Sequence, residues 1–329
     1  MQETYSNEIY LSPTPHFSSR KKTKQIMLLV ILSLLPECVA GIFYFGIPAL
    51  TVILVSVGSC VLFETLFCLL IKKPVSTGDF SAVITGLLLA LTLPPTIPLW
   101  MVVLGSFFAI IAAKAFFGGI GCNVWNPALT GRAFLVISFP LVMGSGYVLP
   151  GADAVSSATP LAKTMPLIQN YSKETLDYYW TLFTGNHAGC IGETCIALIL
   201  ISAVFLLITK VIDFRAPLAM LLTCTLLSAI AKTDVLYTLM SGGLLFGAVF
   251  MATDYTTAPV TKPGRLIFGA GCGLITFLIR QFGGYPEGVM FSILIMNSLV
   301  PFLNNVNQRK YGYTPKRNIA SRLKKGNTK

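Results

Sequence analysis

Charged residues are scarce in this chain. Only 11% of its 329 residues are Asp, Glu, Lys or Arg, whereas 54% are hydrophobic. Soluble globular domains carry roughly 25% charged residues, so the composition excludes an ordinary soluble protein and predicts a polytopic membrane protein. No small-residue cleavage site lies between the first apolar run and the next, so we expect no cleavable signal peptide.

The chain also lacks the patterns of most soluble redox, metal and nucleotide sites. It has two histidines, and its eight cysteines form no Cys-x-x-Cys pair. We therefore expect no metal or iron–sulfur site within this chain and interpret the cysteines as small apolar interior residues. The spacing of Cys190 and Cys195 allows a disulfide without requiring one. There is no P-loop, no glycine-rich loop on a βαβ unit and no Ser-His-Asp arrangement.

The net charge of +11 does not indicate a nucleic-acid partner. Eight of the basic residues follow Leu303, where no acid occurs. A basic tail beside the last apolar run is typical of a cytoplasmic terminus in a membrane protein. We therefore expect a membrane-lipid environment and no nucleic acid.

Apolar runs bounded by helix breakers predict ten membrane-spanning helices of about 20 residues, or fewer where a run is interrupted. An even number of spans places both termini on one side, and the basic clusters before the first span and after the last predict that this side is the cytoplasm. The predicted spans are 26–45, 49–71, 80–93, 97–116, 127–144, 192–212, 216–231, 234–252, 265–281 and 287–303.

One motif recurs at a spacing of 165 residues. Thr-x-Pro-x-Thr-x-Pro occurs at 92–98 and again at 257–263, and Phe-Gly-Gly occurs at 117–119 and again at 282–284. Because five spans per half is an odd number, the two halves would cross the membrane in opposite directions. We predict an all-α polytopic membrane protein of about ten helices in two inverted five-helix repeats, with the third and eighth helices interrupted.

These predictions divide the chain into five segments. Two are cytoplasmic termini, two are five-helix repeats, and one is a long polar loop outside the membrane. In chain order they are 1–25, 26–144 (first repeat), 145–191 (outer loop), 192–303 (second repeat) and 304–329 (basic tail).

The outer loop begins with a recognisable motif, Asp153-Ala-Val-Ser156-Ser-Ala158-Thr159. It resembles the flavinylation motif of the family formed by the D subunit of the Rnf ion-translocating ferredoxin:NAD oxidoreductase and the B subunit of the Na+-translocating NADH:quinone reductase. The stretches 117–128, 264–269 and 282–288 are similar to that family as well. The chain has no long N-terminal extension and is therefore more similar to the D subunits.

The resemblance implies a flavoprotein subunit. The final Thr of the motif carries FMN through a phosphoester bond in that family, which implies covalent FMN on Thr159, with Asp153, Ser156 and Ala158 as the matching positions. Riboflavin is compatible with the resemblance as a second, noncovalent flavin. The protein would not be catalytic alone, but would relay electrons in an Rnf-type complex that moves Na+ or H+.

The resemblance also implies partners and a location. A flavin transferase would attach the FMN, and other subunits of the complex would carry flavins and iron–sulfur centres. The chain would lie in the bacterial cytoplasmic (inner) membrane with both termini in the cytoplasm and Thr159 outside.

An acid beside the second Thr/Pro segment is the candidate for the ion path. An ionisable group inside a span costs at least about 2.5–3.5 kcal/mol, so Asp254 is a functional candidate, together with Thr92 and Thr257 of the two interrupted helices. The alternative is that Asp254 is an acid at the cytoplasmic surface, neutralised by Lys262 or Arg265.

Other charges in apolar runs have structural interpretations. Glu64 is predicted to pair with Lys114 or Arg132. Arg280 and Glu287 flank Gly283 and are candidates for an ion pair with each other.

A solute channel is the alternative function. Inverted five-helix repeats with interrupted helices also resemble channels of the urea-channel type. In such a protein the hydroxyls of Thr92, Thr96, Thr257 and Thr261 would line a pore, the outer loop would only cap it, and no flavin would be bound.

Overall fold

The computed structural model describes residues 22–72, 77–150, 173–283 and 287–306. Throughout these ranges the regular elements are helices. The prediction of an all-α protein is therefore confirmed.

The first half of the chain folds into six helices. The third is followed by the Thr/Pro segment, and the fourth continues directly into a π-helix, Phe108–Ala115. The helices are α1 (Thr23–Phe45), α2 (Ile47–Leu70), α3 (Ser81–Leu91), α4 (Leu99–Phe107), α5 (Pro127–Ser138) and α6 (Pro140–Ser145).

Helix α7 (Lys173–Thr184) lies at the end of the predicted outer loop, and six helices follow it. The predicted eighth span is divided into short pieces, because the helix stops at 241–243 and resumes as a single turn that continues as a π-helix, Gly247–Met251. The helices are α8 (Ile196–Ile208), α9 (Arg215–Ile230), α10 (Val235–Met240), α11 (Leu244–Phe246), α12 (Lys262–Phe282) and α13 (Val289–Asn304).

The distribution of polarity is that of a membrane protein. Helices α1, α2 and α12 are each long and apolar enough to cross a membrane, and six shorter apolar helices accompany them. Large apolar side chains such as Phe43, Leu70 and Ile230 are strongly exposed, whereas Lys114 and Arg132 are buried. Apolar groups outside and charges inside suit a lipid environment, in which ionisable residues face the bundle interior. The number of crossings stays a prediction.

The end of α3 is completed by another part of the chain. With 11 residues, α3 rises only about 16 Å, and the segment 92–98 that follows it is not helical. The carbonyl oxygens of Leu91 and Leu93 accept hydrogen bonds from the backbone N–H groups of Gly192 (2.8 Å) and Ile191 (3.2 Å). An interrupted helix at membrane depth needs such internal partners, and the segment 187–193 supplies them.

Glycines allow the closest helix contacts. A Cβ on Gly86 of α3 would lie 2.7 Å from the Cα of Val57 on α2, and the Ser56 hydroxyl donates to the Gly86 carbonyl at 2.8 Å. On α12, Gly269 and Gly273 lie against the backbone of α9 at Ala216 and Met220. Small residues four apart are a common means of bringing membrane helices together.

Two helix pairs keep the 165-residue spacing of the sequence motif. Adding 165 to 99–115, the range of α4 and its π-helix, gives 264–280, which lies within α12; adding 165 to α5 gives 292–303, within α13. The packing is also similar, since α4 contacts α2 and α5 while α12 contacts α9 and α13.

Candidate functional site

Two adjoining cavities lie where α1, α3 and the residues after Met251 meet. Each has a volume of about 60 Å³, and four residues line both of them: Met27, Ile84, Leu88 and Asp254. A buried water needs roughly 10–15 Å³ of such volume and two or more polar partners, so the cavities have room for a few waters or ions. We refer to them together as the Asp254 cavities.

Asp254 is held by hydroxyl groups rather than by a cation. Its Oδ2 accepts from the hydroxyls of Thr257 (2.9 Å) and Thr256 (3.2 Å), and its Oδ1 accepts from the Thr256 backbone N–H at 3.4 Å. No ion pair joins Asp254 to another described residue. A half-buried acid with only neutral donors has no strong fixed counter-charge, which leaves it free to bind a mobile cation.

The structure shows that Arg265 does not neutralise Asp254. Its guanidinium pairs with Asp213 at 2.6 Å and donates to the Pro259 carbonyl at 2.9 Å. Partial burial acts to raise the pKa of Asp213, but hydrogen bonds from Arg215 and Arg265 outweigh it and hold that pKa below its usual value. The interpretation of Asp254 as an acid paired with Arg265 is therefore wrong.

A buried lysine forms the polar wall of one cavity. Lys114, in the π-helix Phe108–Ala115, donates to both carboxylate oxygens of Glu64 (2.9 and 2.8 Å) and to the Ser81 hydroxyl (2.6 Å). The Ser81 hydroxyl in turn donates to Asp79 at 2.6 Å. The predicted pairing of Glu64 with Lys114 is confirmed, while Arg132 has other partners. The π-helical turn lies at a polar site, as such turns frequently do.

Two asparagines complete that wall. Asn126 caps α5, with its Oδ1 accepting from the Leu129 backbone N–H at 3.3 Å. The Oδ1 of Asn123 is buried but has no hydrogen-bond partner among the described residues. Buried polar atoms rarely lack a partner, so the acceptor of Asn123 is a position where a ligand or water would be stabilised.

A second polar cluster lies further along α5. Arg132 donates to Glu193 at 3.1 Å and to Glu287, and its Nη2 lies 3.5 Å from Cys190 Sγ. A small cavity of about 10 Å³ adjoins this cluster. Oxygen and sulfur atoms of Cys190, Glu193 and Glu287 lie within 4.8 Å of one another, but the guanidinium already neutralises part of their charge. We interpret it as an ion-pair cluster that joins α5, the segment 187–193 and the start of α13.

The candidate pair of Arg280 and Glu287 is not formed. Glu287 pairs with Arg132, while Arg280 donates to the carbonyls of Thr238 (2.8 Å) and Ser241 (3.1 Å). These carbonyls lie where α10 ends, and a helix end leaves carbonyls without intrahelical donors. Arg280 therefore caps the interrupted helix.

The two polar regions are adjacent along shared elements. On α5, Ala128 lines an Asp254 cavity, while Leu129 and Arg132 line the small cavity. Similarly, Met251 lines the small cavity and Asp254 lies three residues further along the chain. Helix α5 and the segment after α11 thus connect the two regions, with apolar side chains between them.

The structure brings together only some of the predicted site residues. Thr257 is bonded to Asp254, but the Thr92 hydroxyl donates to the Leu89 carbonyl (2.8 Å) at the end of its own helix. The proposed flavin positions Asp153, Ser156, Ala158 and Thr159 lie outside the described residues.

The threonines that would line a pore are used in loops and caps. Thr96 donates to the Gly146 carbonyl at 2.7 Å, and the Thr261 hydroxyl accepts from the Gly264 N–H at 3.2 Å at the start of α12. None of Thr92, Thr96, Thr257 and Thr261 lines the cavities described above. This geometry does not favour the channel interpretation.

All eight cysteines are free, so the disulfide that the spacing of Cys190 and Cys195 allows is not formed. Cys190 is buried beside Arg132 instead. Sequence reasoning missed Glu193 and Asn123 as site residues. Glu193 stands just before an apolar run, a signal that could have identified it.

Comparison with known proteins identifies the family. Residues 10–312 match the model of the NQR2, RnfD, RnfE family. The chain belongs to this family. The resemblance seen in the sequence is therefore confirmed.

Curated members of the family are similar over almost the whole chain. A relative from Acetobacterium woodii, named as the D subunit of a Na(+)-translocating ferredoxin:NAD(+) oxidoreductase complex, is 42% identical over 94% of this chain and 97% of its own. One from Clostridium ljungdahlii, named as the D subunit of a proton-translocating complex of the same kind, is 41% identical over 92% and 95%. An Escherichia coli relative, named as the D subunit of an ion-translocating oxidoreductase complex, is 37% identical over 92% and 98%.

Proposed function

We propose that this chain is the membrane-embedded D subunit of an ion-translocating ferredoxin:NAD(+) oxidoreductase complex and that it relays electrons through covalently bound FMN. The observation that carries the proposal is the near-complete coverage of relatives with that name. The other subunits would carry further flavins and iron–sulfur centres and handle NADH and ferredoxin. The same observation favours the redox function over the solute channel.

The proposed topology has ten spans in two inverted repeats, 26–144 and 192–303, within the bacterial inner membrane. Segments 1–25 and 304–329 are cytoplasmic, and 145–191 lies outside. The proposal is supported by the two helix pairs that keep the 165-residue spacing and by the non-helical segments that follow α3 and Met251. An odd number of spans per half requires the inversion.

The Thr159 hydroxyl is the proposed attachment point of FMN, with Asp153, Ser156 and Ala158 as the positions that a flavin transferase would recognise. A phosphoester bond keeps a redox centre that faces water from dissociating, while the flavin itself supplies the electron chemistry. The polypeptide contributes the position of that hydroxyl.

Flavin fluorescence of the denatured protein in a gel tests this proposal. In cells that contain the flavin transferase, the wild-type band is expected to fluoresce and the Thr159→Ala band to be dark. Thr164→Ala, a matched change five residues further along, is the control and should fluoresce like the wild type. A dark wild-type band would contradict the flavoprotein proposal, and a fluorescent Thr159→Ala band would move the attachment site.

The Asp254 cavities are the proposed part of the ion path. Asp254 has a partly open carboxylate and neutral threonine partners, the arrangement expected of a group that binds and releases a cation. Thr257 orients the carboxylate. Thr92 contributes by ending α3, which directs the following backbone away from the helix axis.

Asp254→Asn should abolish ion transport by the assembled complex while the FMN band in the gel persists. The amide keeps the shape and the hydrogen bonds but removes the charge. Transport into vesicles, driven by ferredoxin oxidation, is followed with a Na+ tracer and a pH-sensitive dye. Asp213→Asn is the control, because Asp213 lies in the α8–α9 loop and pairs with two arginines; equal loss in both variants would contradict the role of Asp254.

Riboflavin is a further proposal, with the cavity wall at Asn123 as its polar site. The unpartnered Oδ1 of Asn123, together with Asn126 and Thr256, would match the ring N–H and carbonyl groups of a flavin. The volumes of about 60 Å³ are small for a flavin ring, so Met27 and Leu88, which line both cavities, would have to move apart.

A further inference from the structure

Glu37 is a buried acid that the proposed ion path does not use. It lies in α1, one residue after Pro36, and only 2% of its surface is exposed. Neither carboxyl oxygen has a hydrogen-bond partner among the described residues. It is therefore unlike Glu64 and Glu193, the other buried glutamates, which both contact a basic side chain.

No positive charge compensates Glu37 within the described part of the chain. The five ion pairs there involve Glu64, Glu193, Glu287 and Asp213, and none involves Glu37. An isolated carboxylate costs far more to bury than a neutral carboxylic acid, because the ion loses its hydration without gaining a partner.

The groups that face Glu37 are neutral. The buried face of α1 includes Ser33 and Cys38, and Ser33 accepts a hydrogen bond at its carbonyl from the Ser202 hydroxyl of α8 (2.7 Å). One turn further along α1, Gly41 lies against the backbone of Ile191. Glu37 thus lies where α1 meets α8, next to the segment 187–193 that completes α3.

This position joins the two halves of the chain. Ser202 follows Glu37 by 165 residues, the spacing of the sequence motif, and α1 and α8 are the first helices of the two proposed repeats. In transporters built from inverted repeats, ion sites lie at the interface between the repeats.

We propose that Glu37 is a proton-binding site at the α1–α8 interface, occupied by a proton in the resting protein. The site takes H+ rather than Na+, because a Na+ ion needs several oxygen ligands and the Ser33 carbonyl and Ser202 hydroxyl are already bonded to each other. This inference does not depend on the flavin or on Asp254.

Carbodiimide labelling tests the protonation state in membranes that contain the full chain and its partner subunits. Dicyclohexylcarbodiimide adds to a neutral carboxyl: the carboxyl oxygen bonds to the central carbon, the acid proton moves to nitrogen, and rearrangement gives a stable N-acylurea. Mass spectrometry is expected to show modification of Glu37 at neutral pH. The modification should fall as the pH rises, stay equal in NaCl and KCl, and be absent in Glu37→Gln.

Glu64 is the internal control, because it is equally buried but paired with Lys114 and should remain unmodified. Equal modification of Glu64 would overturn the proposal, since burial alone would then explain the labelling. Protection by Na+ would overturn it in favour of a Na+ site. If Glu37 is not labelled, the infrared difference between wild type and Glu37→Gln decides: loss of a protonated-carboxyl band supports the proposal, and loss of a carboxylate band overturns it.

Discussion

At the scale of single residues, the buried charges differ in how they are compensated. Lys114 has a bidentate contact to Glu64, Arg132 has two acids, Arg280 has two carbonyls, and Glu37 has no partner among the described residues. A membrane interior penalises each unpaired charge, so the partner of each group determines its protonation and its role.

Glu64→Gln is expected to destabilise the protein by about 3–5 kcal/mol, because it leaves the Lys114 ammonium buried and unpaired. Denaturant unfolding in detergent measures the change. The double variant Glu64→Gln/Lys114→Met removes both charges and should recover most of the lost stability. Equal stability of Glu64→Gln and wild type would show that water reaches Lys114.

The sequence predicted some of these partners and not others. Glu64 and Lys114 were predicted to pair since both interrupt apolar runs of one half. Proximity in the chain suggested Glu287 as a partner of Arg280, but Arg132, which is 155 residues away, is its partner. Contacts between distant segments depend on how α5 and α13 approach, which no local pattern contains.

At the scale of helices, the predicted runs correspond closely to the observed elements. Residues 26–45 became Thr23–Phe45, and 265–281 became Lys262–Phe282, because apolar runs and breakers are local signals. The break at 241–243 was not predicted, although Ser-Gly-Gly stands there and Gly242 has a φ of 65°. A glycine accepts this left-handed conformation without the steric cost of a Cβ.

Gly131→Ala should destabilise the protein by about 1–3 kcal/mol, since its Cβ would lie 2.5 Å from the Gly105 carbonyl oxygen and force α5 away from α4. Gly58→Ala is the matched control. It also lies within a helix, but its Cβ would meet no atom within 4 Å, so we expect a gain of about 0.5–1 kcal/mol. Thermal unfolding in detergent compares the two, and an equal effect would contradict close packing of α4 on α5.

At the scale of the whole molecule, the segment 187–193 connects parts that are far apart in the chain. Its backbone completes α3, and Glu193 contacts Arg132 and lies against Gly243 in the second interrupted helix. This segment follows the loop that carries Thr159. A displacement of the loop would therefore reach both interrupted helices, which offers a physical link between the flavin and the ion path.

The proposed topology predicts opposite accessibility for two introduced cysteines. With the exposed Cys122 replaced by Ser, Ser172→Cys in the outer loop should react with a membrane-impermeant maleimide in intact spheroplasts, whereas Asn327→Cys in the basic tail should react only after permeabilisation. Reaction of both cysteines from the same side would contradict an outer location of the Thr159 loop.

Composition, apolar runs, the repeated Thr/Pro motif and the flavinylation motif are local properties of the chain. They were sufficient to predict a helical membrane protein, its helix positions and its family, because lipid requires long apolar helices and a modifying enzyme reads a short segment. The partners of the buried charges, the completion of α3 by 187–193 and the isolation of Glu37 were decided by the tertiary structure. Each depends on which helices approach within a few ångströms, and that distance is a property of the packed bundle.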